Sequence, residues 1–143
     1  MTARIDIRAF LAADYPGARA LWERTEGLGL SESDSEEAIA SFLERNPGMS
    51  AVAATAAGEV VGAVLCGHDG RRGYLHHLAV AAEHRGRGIA RALLEHCCAR
   101  LGEARISRCS IFLYRESASG VAFWLHNGWS EQAWMVLQKR LEA

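Results

Sequence analysis

The run Arg4-Ile5-Asp6-Ile7-Arg8-Ala9 alternates apolar with charged residues, the two-residue period of a half-buried strand. From Asp14 the period lengthens to that of a helix. Ala18, Leu21 and Trp22 share one face, Glu23, Arg24 and Glu26 the other, and Gly27 and Gly29 break the pattern. Ser35 is placed to cap a second helix. Glu36 and Glu37 follow in its first turn, where the helix dipole favours negative charge, and Ala38, Ile39, Phe42 and Leu43 form an apolar stripe that Pro47-Gly48 closes.

The pattern then turns β-like. Ser50 to Ala56 and Val60 to Cys66 are separated only by Ala57-Gly58-Glu59, a hairpin connection. Asp69-Gly70-Arg71-Arg72-Gly73 makes a second turn into Tyr74 to Val80, a run so apolar, apart from His76 and His77, that it predicts a central strand. After a short polar stretch, Ala81 to Arg87, a helix is expected from Gly88 through Ile89, Leu93, Leu94, Cys97 and Leu101, with Gly102 as its stop. Arg105 to Leu113 reads as a strand, Ser117 as the cap of a short helix through Leu125, and Asn127-Gly128 as a turn into a last strand around Trp134 to Lys139. The order β α α β β β α β α β, with one helix-connected strand pair in its middle, predicts an α/β (α+β) fold with a largely antiparallel sheet.

The 143 residues suit one domain spanning 1–143, large enough for a core of its own. A net charge of -1 offers no general field for nucleic acid or an anionic membrane, so neither is an expected partner. Positive charge is gathered instead in Arg71, Arg72, Arg85, Arg87 and Arg91. Cys66, Cys97, Cys98 and Cys109 have neither CxxC nor zinc-site spacing, so no metal is expected and they read as reduced thiols of a cytoplasmic protein. No signal-peptide pattern opens the chain, and no apolar stretch nears the ~20 residues that span a bilayer.

Candidate chemistry concentrates at Arg85-Gly86-Arg87-Gly88-Ile89-Ala90. Two glycines let the backbone approach a ligand, the unpaired amides of a helix start bind anions, and Arg85, Arg87 and Arg91 surround them with charge. A diphosphate matches that donor set. Dinucleotide folds and P-loops use the same physics, but neither G-x-G-x-x-G with a following acidic residue nor G-x-x-x-x-G-K-[ST] occurs here.

Leu78-Ala79-Val80, then Glu83-His84-Arg85-Gly86-Arg87-Gly88-Ile89-Ala90, then Ala92-Leu93-Leu94 resembles motif A of the GNAT family of N-acetyltransferases, Arg/Gln-x-x-Gly-x-Gly/Ala, matching at Arg85, Gly88 and Ala90. Asn127-Gly128-Trp129 is similar to the family's closing Gly-Phe turn, and the element order agrees over nearly the whole chain. The resemblance implies a mixed, mostly antiparallel sheet of six to seven strands flanked by about four helices. It implies acetyl-coenzyme A as acetyl donor, lying between the motif A strand and the strand after it. Leu78, Ala79 and Val80 would meet the pantetheine arm, and the amides of Arg85, Gly86, Arg87, Gly88, Ile89 and Ala90 would hold the pyrophosphate. A primary amine on a small molecule or a protein would be the acceptor. A non-catalytic acyl-coenzyme A sensor is the alternative, and a homodimer is left open.

Acetyl transfer needs a group to take the amine proton, and imidazole suits that near neutrality. His76 falls on a position where related arylalkylamine acetyltransferases place a histidine. A core histidine bonded to a carbonyl is the competing reading for His76 and His77, whose alternation lets at most one face the site. The family's acid is a tyrosine seven residues after an asparagine on the late helix. Aligned on Gly128, this chain has Ser117 and Trp124 at those positions. An indole does not act as an acid, so Trp124 would donate a hydrogen bond or pack against the cofactor, and Tyr114 is the substitute proton donor. The stretch Gly27 to Asp34 is expected to border the acceptor, with Glu26, Glu32 and Asp34 either attracting a cationic amine or forming a solvated surface. Trp22 reads as an apolar wall or as core.

Overall fold

The structure, a computed structural model, describes residues 4–142. The chain forms two compact units, one reaching Phe112 and the other beginning at Leu113.

In the first unit, β1 (Ile5–Ala9), β2 (Ala51–Thr55), β3 (Val60–His68), β4 (Gly73–Val80) and β5 (Cys109–Ile111) form a sheet in sequence order. Its first three pairings are antiparallel and the last, β4 with β5, is parallel. The alternation at the N-terminus does become β1, and the hairpin read from Ala57-Gly58-Glu59 joins β2 to β3. β3 is buried along almost its whole length because helices cover both faces of the sheet, as its uninterrupted apolar run requires.

Consecutive β3 residues show the two layers. Cys66 points toward α3 (Ile89–Glu103), where its thiol meets that of Cys97. Gly67 points the other way. A methyl there would lie 2.6 Å from Asn46 Nδ2 and 2.8 Å from Phe42 Cζ, at the end of α2 (Glu36–Arg45). Asn46 is buried, and its Oδ1 accepts the His68 amide at 3.0 Å, fastening the end of α2 to the end of β3. α1 (Tyr15–Glu23) buries Ala18, Leu21 and Trp22, the face foreseen from periodicity, so Trp22 is a core residue and no wall of an acceptor pocket. Ser35 caps α2 as expected, its hydroxyl accepting the Ala38 amide at 3.1 Å.

Three expectations are corrected. α3 runs past Gly102 to Glu103, and the residue that takes the left-handed conformation is Arg105 (φ 64°). The Arg105 and Ile106 amides then close onto the carbonyls of Gly102 and Leu101 at 3.0 Å each, the two bonds of a Schellman stop. The strand read over Arg105 to Leu113 shrinks to Cys109–Ile111, because that stop occupies its start. The strand around Trp134 to Lys139 is absent. Met135, Val136 and Leu137 are all exposed, so no face of the run is buried, and β propensity without a pairing partner does not make a strand. The described sheet therefore holds five strands, not six or seven, beside four α-helices.

In the second unit, α4 (Ala118–His126) begins after Ser117 and ends in a Schellman turn at Gly128 (φ 92°), with the Trp129 amide bonded to the Trp124 carbonyl at 3.1 Å. Trp124 is buried, its ring 4.8 Å from that of Trp129 and 5.5 Å from that of Phe123.

β1 is tied to the approach of α1 by a two-pronged ion pair. Arg8 Nη1 and Nη2 donate to Asp14 Oδ2 and Oδ1 at 2.7 and 2.8 Å, and the Leu11 amide donates to Oδ2 at 2.8 Å. The Arg8 bonds hold the Asp14 carboxyl below the usual carboxylate range, against the opposing effect of burial. A lowered carboxylate pKa stabilises the fold fully above about pH 4 and progressively less as pH falls through the folded value. Asp14→Ala is expected to cost about 2 kcal/mol in denaturant unfolding at pH 7 and distinctly less at pH 3; an equal cost at both values would show that the charge contributes nothing.

Candidate active site

Two departures from regular β structure shape β4. The first is where its pairing ends. β5 pairs with Gly73, Tyr74 and Leu75 only, so from His76 to Val80 the β4 edge has no β5 partner among the described residues. The stretch Leu78, Ala79, Val80 lies on this open edge.

The second is a bulge. The β3–β4 register jumps between Ala63↔Ala79 and Leu65↔His76, and within the jump His77 takes a left-handed φ of 55°. For a residue with a side chain this costs about 1–2 kcal/mol, and it persists only where surrounding contacts hold it. Two contacts hold it: the Trp22 indole donates to the His77 carbonyl at 3.0 Å, and His77 Nε2 lies 2.8 Å from Asp34 Oδ1. The bulge also overturns strict alternation, since the His76 and His77 rings come within 6.5 Å of each other.

The two imidazoles sit in unlike surroundings. His76 packs edge-on to Phe42 at 6.2 Å and lies 6.3 Å from Phe112, whose ring also stacks on Tyr74 at 6.2 Å. Burial, reinforced by neighbouring His77, pushes the His76 pKa below its usual value, so it is neutral at pH 7. His77 instead faces a carboxylate. Asp34 is buried, not a solvated surface acid open to an amine, and it belongs to a short 3-10 turn (Glu32–Asp34) between α1 and α2. Sequence reasoning missed this pairing because the residues are 43 apart and neither lies in a motif.

After β4 a 3-10 turn (Ala82–His84) leads into Arg85. Gly86 and Gly88 both have φ 78°, and Gly88 directly precedes α3. The first amide to find its carbonyl is that of Ala92, on Gly88 O at 3.1 Å, so the amides before it at the helix start are the ones a helix leaves without an internal partner. Arg85 Nε donates to the Val80 carbonyl at 3.1 Å, clamping the loop to the end of β4 with one of its five donors. Ile89 is buried under β3, where a methyl on Gly62 would lie 3.2 Å from its Cγ2, so its side chain belongs to the core and only its amide serves the loop.

The five arginines do not form one cluster. Arg71 and Arg72 precede β4, where their amides bond to Asp69 Oδ1, while Arg85, Arg87 and Arg91 follow it. Eight strand residues put roughly 25 Å between the groups. In the second unit, Tyr114 is exposed and its carbonyl accepts the Ser117 amide at 3.0 Å.

Gly88→Ala is expected to lower stability by about 1–2 kcal/mol, wholly from the left-handed backbone, since no atom lies within 4 Å of the added methyl. A neutral or stabilising effect in thermal unfolding would mean that the loop adopts a different backbone.

The model of the acetyltransferase (GNAT) family matches residues 9–129. An acetyltransferase of Sodalis glossinidius is 41% identical over 90 residues, 63% of this chain and 62% of that protein, so the match spans less than two thirds of that relative. One of Photorhabdus laumondii is 40% identical over 104 residues, 73% of this chain and 68% of that protein. Among solved structures, the PaiA N-acetyltransferase of Thermoplasma acidophilum in complex with coenzyme A superposes with a TM-score of 0.76 at 20% identity, covering 90% of this chain and 91% of that one, a likeness of fold. From the extent of the family match and the two relatives, the chain belongs to the acetyltransferase (GNAT) family.

Proposed function

We propose that this chain transfers the acetyl group of acetyl-coenzyme A to a primary amine of a small molecule or a protein. The observation that carries the reading is the junction of β4 and α3: an open strand edge followed at once by two left-handed glycines and a helix start. The open edge offers backbone groups to the amides of a pantetheine arm, which assigns Leu78, Ala79 and Val80 to it. The loop offers amides and charge to a diphosphate, which assigns Arg85, Gly86, Arg87, Gly88, Ile89 and Ala90. That PaiA, a protein of like fold, was solved with coenzyme A supports the same donor.

The uncharged His76 imidazole accepts a hydrogen bond from the attacking nitrogen and orients it. Tyr114 as proton donor, and Ser117 and Trp124 as cofactor contacts, are carried by the family pattern. Thiolate is a good leaving group, so the chemistry does not stand or fall with an acid at position 124.

Incubating the protein with acetyl-coenzyme A and a panel of amines should release free thiol with at least one amine. Cofactor binding without release for any amine would favour an acyl-coenzyme A sensor. Gly88→Glu should abolish coenzyme A binding in a calorimeter, because it adds bulk and negative charge at the helix start; retained affinity would remove the pyrophosphate from this loop. His76→Ala should lower turnover with coenzyme A affinity nearly unchanged, and wild-type turnover would make His76 a packing residue.

A further inference from the structure

We infer that His77 is the proton acceptor for the incoming amine and that Asp34 is its positioning residue; this rests on the acetyl-transfer reading above.

Asp34 is held at every polar atom. Its Oδ1 faces His77 Nε2 at 2.8 Å, and its Oδ2 accepts the Ser31 amide at 3.0 Å. Its carbonyl accepts the Tyr15 hydroxyl at 2.7 Å and Arg19 Nη1 at 3.1 Å. The carboxylate is therefore presented to the imidazole in a fixed direction, and only 8% of its side chain is exposed. A carboxylate bonded to Nε2 selects the neutral tautomer with its proton there, which leaves Nδ1 as the nitrogen with a lone pair. A base oriented by a third group is the general logic of activated nucleophiles.

Neighbouring His76 is built for the opposite behaviour. Its aromatic walls and burial disfavour a charge, whereas His77, 18% exposed at its side chain, has a counter-ion. The titratable and charged groups around the pair are Asp34 and His76, with Tyr15 and Arg19 behind Asp34. The strain at His77 fits the same assignment. A left-handed φ held by an indole from α1 and a carboxylate from the α1–α2 connection fixes the ring against Asp34, on the segment of β4 that has no β5 partner among the described residues.

An acceptor arriving as ammonium gives one proton to His77 Nδ1, which later releases it to solvent. The freed amine lone pair attacks the thioester carbonyl carbon. The C–N bond forms, the C–S bond breaks with its electron pair leaving on sulfur, and the second amine proton ends on the coenzyme A thiol.

The test compares wild type, Asp34→Asn, His77→Gln, their double variant and His76→Ala in the rate of thiol release at saturating acetyl-coenzyme A. Coenzyme A binding and circular dichroism report that each variant is folded. Asp34→Asn removes the carboxylate that orients the imidazole, and its rate should fall about 10²-fold with coenzyme A affinity unchanged. His77→Gln should fall at least as far, the double variant no further than His77→Gln alone, and His76→Ala less. A structural role for Asp34 would lower coenzyme A affinity or folding, or add its loss to that of His77→Gln in the double variant, and that outcome overturns the inference. Should either variant not fold, histidine 15N NMR of the wild-type protein decides: an unprotonated Nδ1 on His77 is expected, and an unprotonated Nε2 overturns the pair. A wild type that releases no thiol with any amine overturns the acetyl-transfer reading and this inference together, whereas release unaltered in Asp34→Asn and His77→Gln overturns this inference alone.

Discussion

β4 pairs with β3 at both ends, from Gly73 to His76 and at Ala79 and Val80, but along only its first three residues with β5, and the rest of the first unit is arranged around that unequal pairing. A strand cannot leave amides and carbonyls unpaired in the middle of a sheet without something to compensate. Here the left-handed His77 absorbs the register jump against β3, and the edge beyond Leu75 is given up as a place where another chain of polar groups can pair. Trp22 and Asp34 keep His77 in that conformation, and α1 and the α1–α2 connection exist in the right place to supply them.

The same strand end leads into the loop proposed to hold the pyrophosphate. The 3-10 turn after Val80, the Arg85 clamp onto the Val80 carbonyl and the two left-handed glycines aim the start of α3 immediately beyond the open edge. Fifteen residues of α3 then bury Ile89, Leu93, Leu94, Cys97 and Leu101 against the sheet, so the amides of its first turn are fixed by a packed helix and not by a loop alone. Donors carried on rigid elements in this way stay pointed at one spot, as the proposed diphosphate site requires.

The thiols illustrate how burial separates packing from chemistry. Cys66 and Cys97 face each other between β3 and α3, and the Cys97 thiol is pushed far up by that contact and by burial, while burial pushes Cys109 up to about 12. Such groups stay protonated at neutral pH and act as small apolar side chains.

Local information in the chain was enough to set several pieces of the structure. The two-residue period of β1, the apolar stripes of α1 and α2, the Ser35 cap, the hairpin glycine and the Gly86/Gly88 helix start are all set by neighbours within a few residues, and so were legible, together with the family motif that names the loop. What depends on distant partners was not. Whether His76 and His77 alternate was decided by a bulge that only the β3 register imposes. Asp34 looked like a surface acid because nothing nearby in sequence tells that His77, 43 residues on, will bond to it. The arginines seemed one patch until an eight-residue strand was laid between them. The run from Trp134 to Lys139 has strand composition but no ladder, because a strand is a relation between two segments and composition describes only one.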